Sequence, residues 1–196
     1  MRCAGVAECG AWLAPGGLRL DADLALLDAG QWARFPERYY LIDRPDLDLP
    51  EFSRQLLDWL PVGRDRLLMV SRWSADPPDH PHVFNAIRAG AGADQPLRAA
   101  PGHIFAASKE DGADYDERPA LDVAEESIAM WLMGLMLEWT WEGYATVAGC
   151  ADALWLGDGF VRFLASDARS HAAALAMMRE SNLKYAVKYP WGAPGR

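Results

Sequence analysis

The chain has 196 residues, 51% of them hydrophobic and 24% charged, an ordinary globular composition that excludes disorder over most of the length and suits one domain. Its formal charge of −9 excludes non-specific nucleic-acid binding, which needs cations to replace phosphate counterions. The same charge opposes attraction to anionic membrane surfaces and suits a basic partner.

The N-terminal MRCAGVAECGAWLAPGG has one arginine and an apolar stretch broken by Glu8, so it lacks the apolar centre of a secretory leader. Residues 1–36 carry no clear periodicity, and GLRLDADLALLDAG within them reads either as a strand and turn or as a short helix. RYYLID, 38–43, is a predicted strand, rich in aromatic and branched residues. LPEFSRQLLDWLP, 49–61, is a predicted helix: Phe52, Leu56, Leu57, Trp59 and Leu60 make its apolar face, and Pro50 and Pro61 bracket it. DRLLMVSRW, 65–73, is a second strand, apolar enough to be buried on both faces. Strand, helix and strand at this spacing predict a parallel βαβ unit.

A proline-broken loop, SADPPDHPH, precedes a short helix, VFNAIRAG, that the glycines end. GHIFAAS, 102–108, is a third strand. From Lys109 to Glu126 there are eight carboxylates, Glu110, Asp111, Asp114, Asp116, Glu117, Asp122, Glu125 and Glu126, opposed only by Lys109 and Arg118. This strongest local field of the chain is either a solvated loop and helix start or a docking surface.

A helix is predicted from about Leu121 to Trp141. Its uncharged part, IAMWLMGLML, is about half a membrane span. Ile128, Leu132, Leu135 and Trp139 fall on one face and Met130, Met133, Leu137 and Trp141 on another, so a central helix buried on more than one side is expected. A homodimer interface is the alternative cover for its second face. The end, EWTWEG, with Glu138 and Glu142 flanking two tryptophans, is the part that remains a functional candidate.

DALWLGDGFVRFLAS is a predicted hairpin on the turn Asp158-Gly159. Its register sets Leu156 opposite Val161, Trp155 opposite Arg162 and Leu154 opposite Phe163. One face, with Leu154, Leu156, Val161 and Phe163, is a core face. The other sets Trp155 beside Arg162, either as a surface hot-spot pair or beneath a second layer. Ser166 or Asp167 then caps a last helix, 168–181, with Leu175, Met178, Ala168, Ala172 and Ala174 on its buried side. NLKYAVKYPWG ends the chain as a short strand.

These elements predict one mixed α/β (α+β) domain. It comprises an N-terminal segment 1–36, a βαβ-containing half 37–108, an acidic loop 109–126, and a helix-hairpin-helix half 127–196. The expected sheet is mixed, with about five or six strands.

No nucleophile, base and orienter reinforce one another. His80 and His82, with Asp76 and Asp79, form the most metal-like group, but the prolines around them fit a turn-rich polar loop better, and H-E-x-x-H spacing is absent. RAGAGADQP lacks both the dinucleotide pattern and the P-loop lysine. His103 and His171 read as structural, and no G-x-S-x-G elbow is present. Cys3, Cys9 and Cys150 form no C-x-x-C pair and read as reduced thiols of a cytosolic protein, Cys150 as a buried thiol and not a nucleophile. No catalytic residue, metal or cofactor is assigned.

The order of RYYLIDRPDLDL, a helix, RLLMVSRW, PGHIF, an acidic spacer, a long apolar helix ending in WTWEGY, and the hairpin DALWLGDGFVRF resembles small acidic bacterial immunity proteins. These neutralise polymorphic toxins delivered between competing cells, and 101–166 carries most of the likeness. The resemblance implies a cytoplasmic, non-catalytic protein that plugs a toxin's active site or substrate groove. On the residues themselves, Trp139, Trp141, Trp155 and Arg162 would anchor such a partner with Asp158 at the adjoining turn. Glu110, Asp111, Asp114, Asp116 and Glu117 would pair with its lysines and arginines. The alternatives are a small-molecule or metal-dependent enzyme using the 76–82 Asp/His loop, and a secretion adaptor or chaperone for a toxin.

Overall fold

A computed structural model of the chain describes residues 2–4, 6–21, 25–42, 46–61, 66–72, 104–107, 130, 132–138 and 141–187. The strands are β1 (Arg2–Ala4), β2 (Arg19–Leu20), β3 (Leu26–Leu27), β4 (Tyr39–Leu41), β5 (Arg66–Arg72), β6 (Ile104–Ala107), β7 (Glu142–Val147), β8 (Ala153–Gly157), β9 (Phe160–Leu164) and β10 (Tyr185–Ala186). The helices are α1 (Val6–Leu13), α2 (Leu49–Trp59), α3 (132–138) and α4 (Ala168–Glu180). The result is an α+β fold.

Eight strands form the main sheet in the order β1-β6-β5-β7-β8-β9-β4-β10, while β2 and β3 form a small hairpin of their own. Every described pairing is antiparallel. The expected mixed sheet of five or six strands is corrected accordingly. The strand-helix-strand order β4-α2-β5 is present, and alternation across the sheet makes β4 and β5 point the same way. They are not neighbours, however, because the meander β7-β8-β9 lies between them. Two hairpin-connected turns of chain are cheaper to close than a crossover, so the meander occupies the adjacent positions.

The β8–β9 hairpin has the predicted register, with Leu154 opposite Phe163, Trp155 opposite Arg162 and Leu156 opposite Val161. Asp158 and Gly159 both have positive φ, 48° and 77°, as the tight turn requires.

Period-two alternation sorts the strand side chains onto two faces. Tyr40, Ile42, Leu68, Ala145, Val147, Leu154, Leu156 and Val161 face a core shared with α2, α3 and α4. Tyr39, Leu67, Met69, Tyr144, Ala153, Trp155, Phe160 and Leu164 face a second core shared with α1 and the β2–β3 hairpin. The sheet is thus covered on both sides, which is why β5 reads as a continuous apolar run although its partners are antiparallel. The N-terminal segment, structureless by periodicity, supplies this second layer.

Each helix is held by local chemistry. Asp48 caps α2 by accepting the Glu51 N–H at 3.0 Å, and Phe52, Leu56 and Leu57 are buried as the apolar spacing predicts. Asp167 caps α4 by accepting from the backbone N–H groups of Arg169 and Ser170, both at 2.8 Å. Asn182, at φ 50°, ends α4 and turns the chain into β10. Only Ala174 and Met178 of α4 are buried; Ala168 and Ala172 are exposed, a correction that follows from the helix packing on a narrow stripe.

In α3, Leu132, Met133, Leu135, Met136 and Leu137 are all buried, as expected of a helix apolar nearly all round. The helix stops short of the predicted end. Trp141 N–H closes it on Met136 O at 3.0 Å, and Glu142 already begins β7. Among the described residues no helix is long and apolar enough to cross a membrane.

Candidate binding surfaces

Two of the three tryptophans expected as anchors, Trp141 and Trp155, go inward. Trp141 is fully buried in the helical core, and Trp155 is 4% exposed under the N-terminal layer. Trp155 sets its indole edge-on to Tyr39, with centroids 5.8 Å apart, and folds back across Gly157, where a Cβ would lie 2.6 Å from the indole ring. Of the two covers weighed for this face, the second layer is the one present. Both indoles are buried away from the outer surface of the folded protein, which corrects their assignment as surface anchors. Large apolar area wins over the amphipathic use of indole wherever a covering layer exists.

Arg162 remains at the surface margin, 22% exposed, with its guanidinium over the Tyr39 ring. Its guanidinium lies 5.4 Å from the Tyr39 centroid, donates to Tyr39 Oη at 3.3 Å, and pairs with Glu37 at 2.6 Å. Burial is the main cause that pushes the Tyr39 phenol up; Arg162 pulls against it. Asp158 sits at the hairpin turn, half-buried. Trp139, the carboxylates Glu110, Asp111, Asp114, Asp116 and Glu117, and the histidines His80 and His82 lie outside the described residues. Among the described residues no group of three or more metal-ligating side chains assembles.

Several polar groups that look chemical in the sequence serve the fold. Cys150 Sγ accepts the Asp152 N–H at 3.3 Å, and Asp152 Oδ1 accepts from Ser166 N at 2.6 Å and Ser170 Oγ at 3.1 Å. This buried carboxylate fastens the start of β8 to the start of α4. On the exposed side of α2, Arg54 bridges Glu51 and Asp58, each at 2.6 Å, and holds the Glu51 carboxyl down at about 2. Solvent screens that network, so it contributes little to stability.

Two surface features were not legible in the sequence. At one end of the sheet, Trp59, Phe163, Tyr40 and Tyr185 form a chain of ring contacts at 5.0, 6.1 and 5.7 Å. It ends in the open: Tyr185 is 50% exposed, Val187 is 66% exposed, and the Arg38 guanidinium lies 4.7 Å over the Tyr185 ring. β10 is the outermost described strand there. Nearby, His171 of α4 stacks on Phe35 at 4.6 Å, and burial with the Arg38 charge pushes its imidazole down. The sequence signal was only that Tyr, Val and Lys alternate near a chain end, which many strands share.

The second feature is an apolar cleft of about 130 Å³ between the first turn of α2 and α3, lined by Leu49, Pro50, Met130, Gly134, Leu135 and Glu138. Finding it from sequence requires knowing that these two helices touch. Glu138, one of the two glutamates that flank the tryptophans of EWTWEG, is exposed on its rim.

Comparison of the chain with protein-family models, with curated proteins and with solved structures gives no match.

Proposed function

We propose that this is a cytoplasmic, non-catalytic protein-binding module, an immunity-type inhibitor that occupies the working surface of a basic protein toxin. The observation that carries the binding part of this reading is the open end of the aromatic chain. Tyr185, Val187 and Arg38 leave tyrosine and arginine, the residue types richest in binding energy, at the outer strand of the sheet. That concentration contrasts with the tryptophans Trp141 and Trp155, which the fold consumes as core. The inhibitor part is supported by the charge of −9 and by the eight carboxylates between Lys109 and Glu126, which complement a basic enzyme and speed its encounter.

The test is co-expression with the toxin candidate encoded by the adjacent gene, followed by size exclusion of the purified pair. Protection of the host and a co-eluting complex are expected. Tyr185→Ala should then weaken the complex by roughly thirty-fold, the effect of a hot spot near 2 kcal/mol. A host left unprotected and a pair that elutes without forming a complex would sink the proposal.

A further inference from the structure

We propose that the α2–α3 cleft is a socket for one apolar side chain carried next to a lysine or arginine on a basic protein segment. The identity of that segment's owner rests on the inhibitor reading above; the chemistry of the socket rests on the cleft alone. Size decides the class of occupant. At about 130 Å³ the cleft falls well short of the roughly 300–1,000 Å³ of sites for metabolites and cofactors. It is close to the roughly 150 Å³ engineered cavity that holds a benzene-sized group. One leucine- or methionine-sized side chain fits.

The lining decides the rest. Leu49, Pro50, Met130, Gly134 and Leu135 offer an inserted group only apolar contact, and Glu138 is the one carboxylate among them. Glu138 is exposed and has no hydrogen-bonding or ion-pair partner among the described residues. It stands at the end of α3, just before the closing bond from Trp141 to Met136, where the last helical carbonyls add partial negative charge. The opposing positive end of α2 is already answered, because Asp48 caps it and Glu51 stands in its first turn. The field left over the apolar lining is therefore negative, and a cation beside the inserted side chain satisfies it.

The probe is 3-methylbutylamine, a branched alkyl end joined to an ammonium, added to the full chain labelled with ¹³C-methyl methionine. A saturable shift of the Met130 methyl is expected. Affinity should fall by about three-fold in Glu138→Gln, as an exposed ion pair provides. It should be lost in Leu49→Trp, which fills the cleft from its rim, with Leu49→Phe in reserve if the larger ring lowers the melting temperature. Uncharged 3-methylbutanol should bind wild type and Glu138→Gln alike. A Met130 methyl unmoved by the amine, or an amine affinity indifferent to Glu138→Gln, overturns the socket. With a toxin that the wild type neutralises, Glu138→Lys and Leu49→Trp should each weaken the complex by about ten-fold or more; undiminished binding overturns the assignment of the toxin as the occupant. Absence of any toxin complex sinks the inhibitor reading and leaves the methyl titration to decide the socket.

Discussion

The two faces of the sheet enclose the same kind of residue by different means. On one, Trp141 lies in a core built with α2, α3 and α4, helices that satisfy their own backbone and present apolar stripes. On the other, Trp155 lies under an eight-residue helix, a hairpin of two-residue strands and short 3-10 turns. Elements that short are marginal by themselves. They are pinned individually: Trp32 Nε1 donates to Ala151 O at 2.8 Å, and Gly149 N to Trp12 O at 3.1 Å. One face is held by area and the other by area plus a set of single polar ties. The second is therefore the more compliant, and its stability depends on groups that a change of pH or one substitution can remove.

The largest expected effects test that contrast directly. Trp141→Ala should cost near 5 kcal/mol, the upper end for deleting a buried aromatic, and Trp155→Ala near 3 kcal/mol, because a layer of short elements collapses further into the space. Urea unfolding of both variants measures the difference, and equal losses break the comparison. Asp152→Ala comes next. It leaves Ser166 N without its acceptor, removes the tie from Ser170 Oγ to β8 while Ser170 keeps Asp167, and so frees α4 from β8, at roughly 2 kcal/mol by the same assay.

A smaller, pH-dependent effect sharpens the account of the N-terminal face. Burial pushes the Tyr144 phenol up from 10.0 to about 12. Folding thus favours the neutral phenol, and its contribution is full below pH 10 and is lost as the pH rises through about 12. Melting temperatures across that range should fall for the wild type and fall less for Tyr144→Phe; identical slopes would remove Tyr144 from the explanation. The least effect is on the helical face. The His171 imidazole is pushed down from 6.5 by burial and by Arg38, so its contribution is present above pH 6.5 and declines as the pH falls below it. His171→Gln should flatten the stability profile on the acid side of pH 6.5, read by thermal melts between pH 5 and 7.

Legibility followed the range of the interaction. The hairpin could be placed residue against residue because a turn of two positive-φ positions and a period of two leave one register. α2 was legible from its bracketing prolines and its apolar spacing. β7 was not: no element is predicted over EGYATV, and it became a strand because β5 and β8 offer it ladders on both sides. The predicted helix, run to about Trp141, places that residue inside it, whereas Trp141 lies past the helix end. Of the candidate site, Arg162 kept a place at the margin over the Tyr39 ring, while Glu138, read only as a flank of two tryptophans, lines the cleft.

By itself the sequence determined charge, the capped helices, the hairpin register and the apolar character of α3, because each depends on residues a few positions apart. The tertiary structure alone decided which strands became neighbours, that an N-terminal layer covers Trp155, and that Tyr185 and Glu138 stay exposed. Burial is a property of the whole packed assembly, and a tryptophan carries the same local pattern whether another layer arrives to cover it or not.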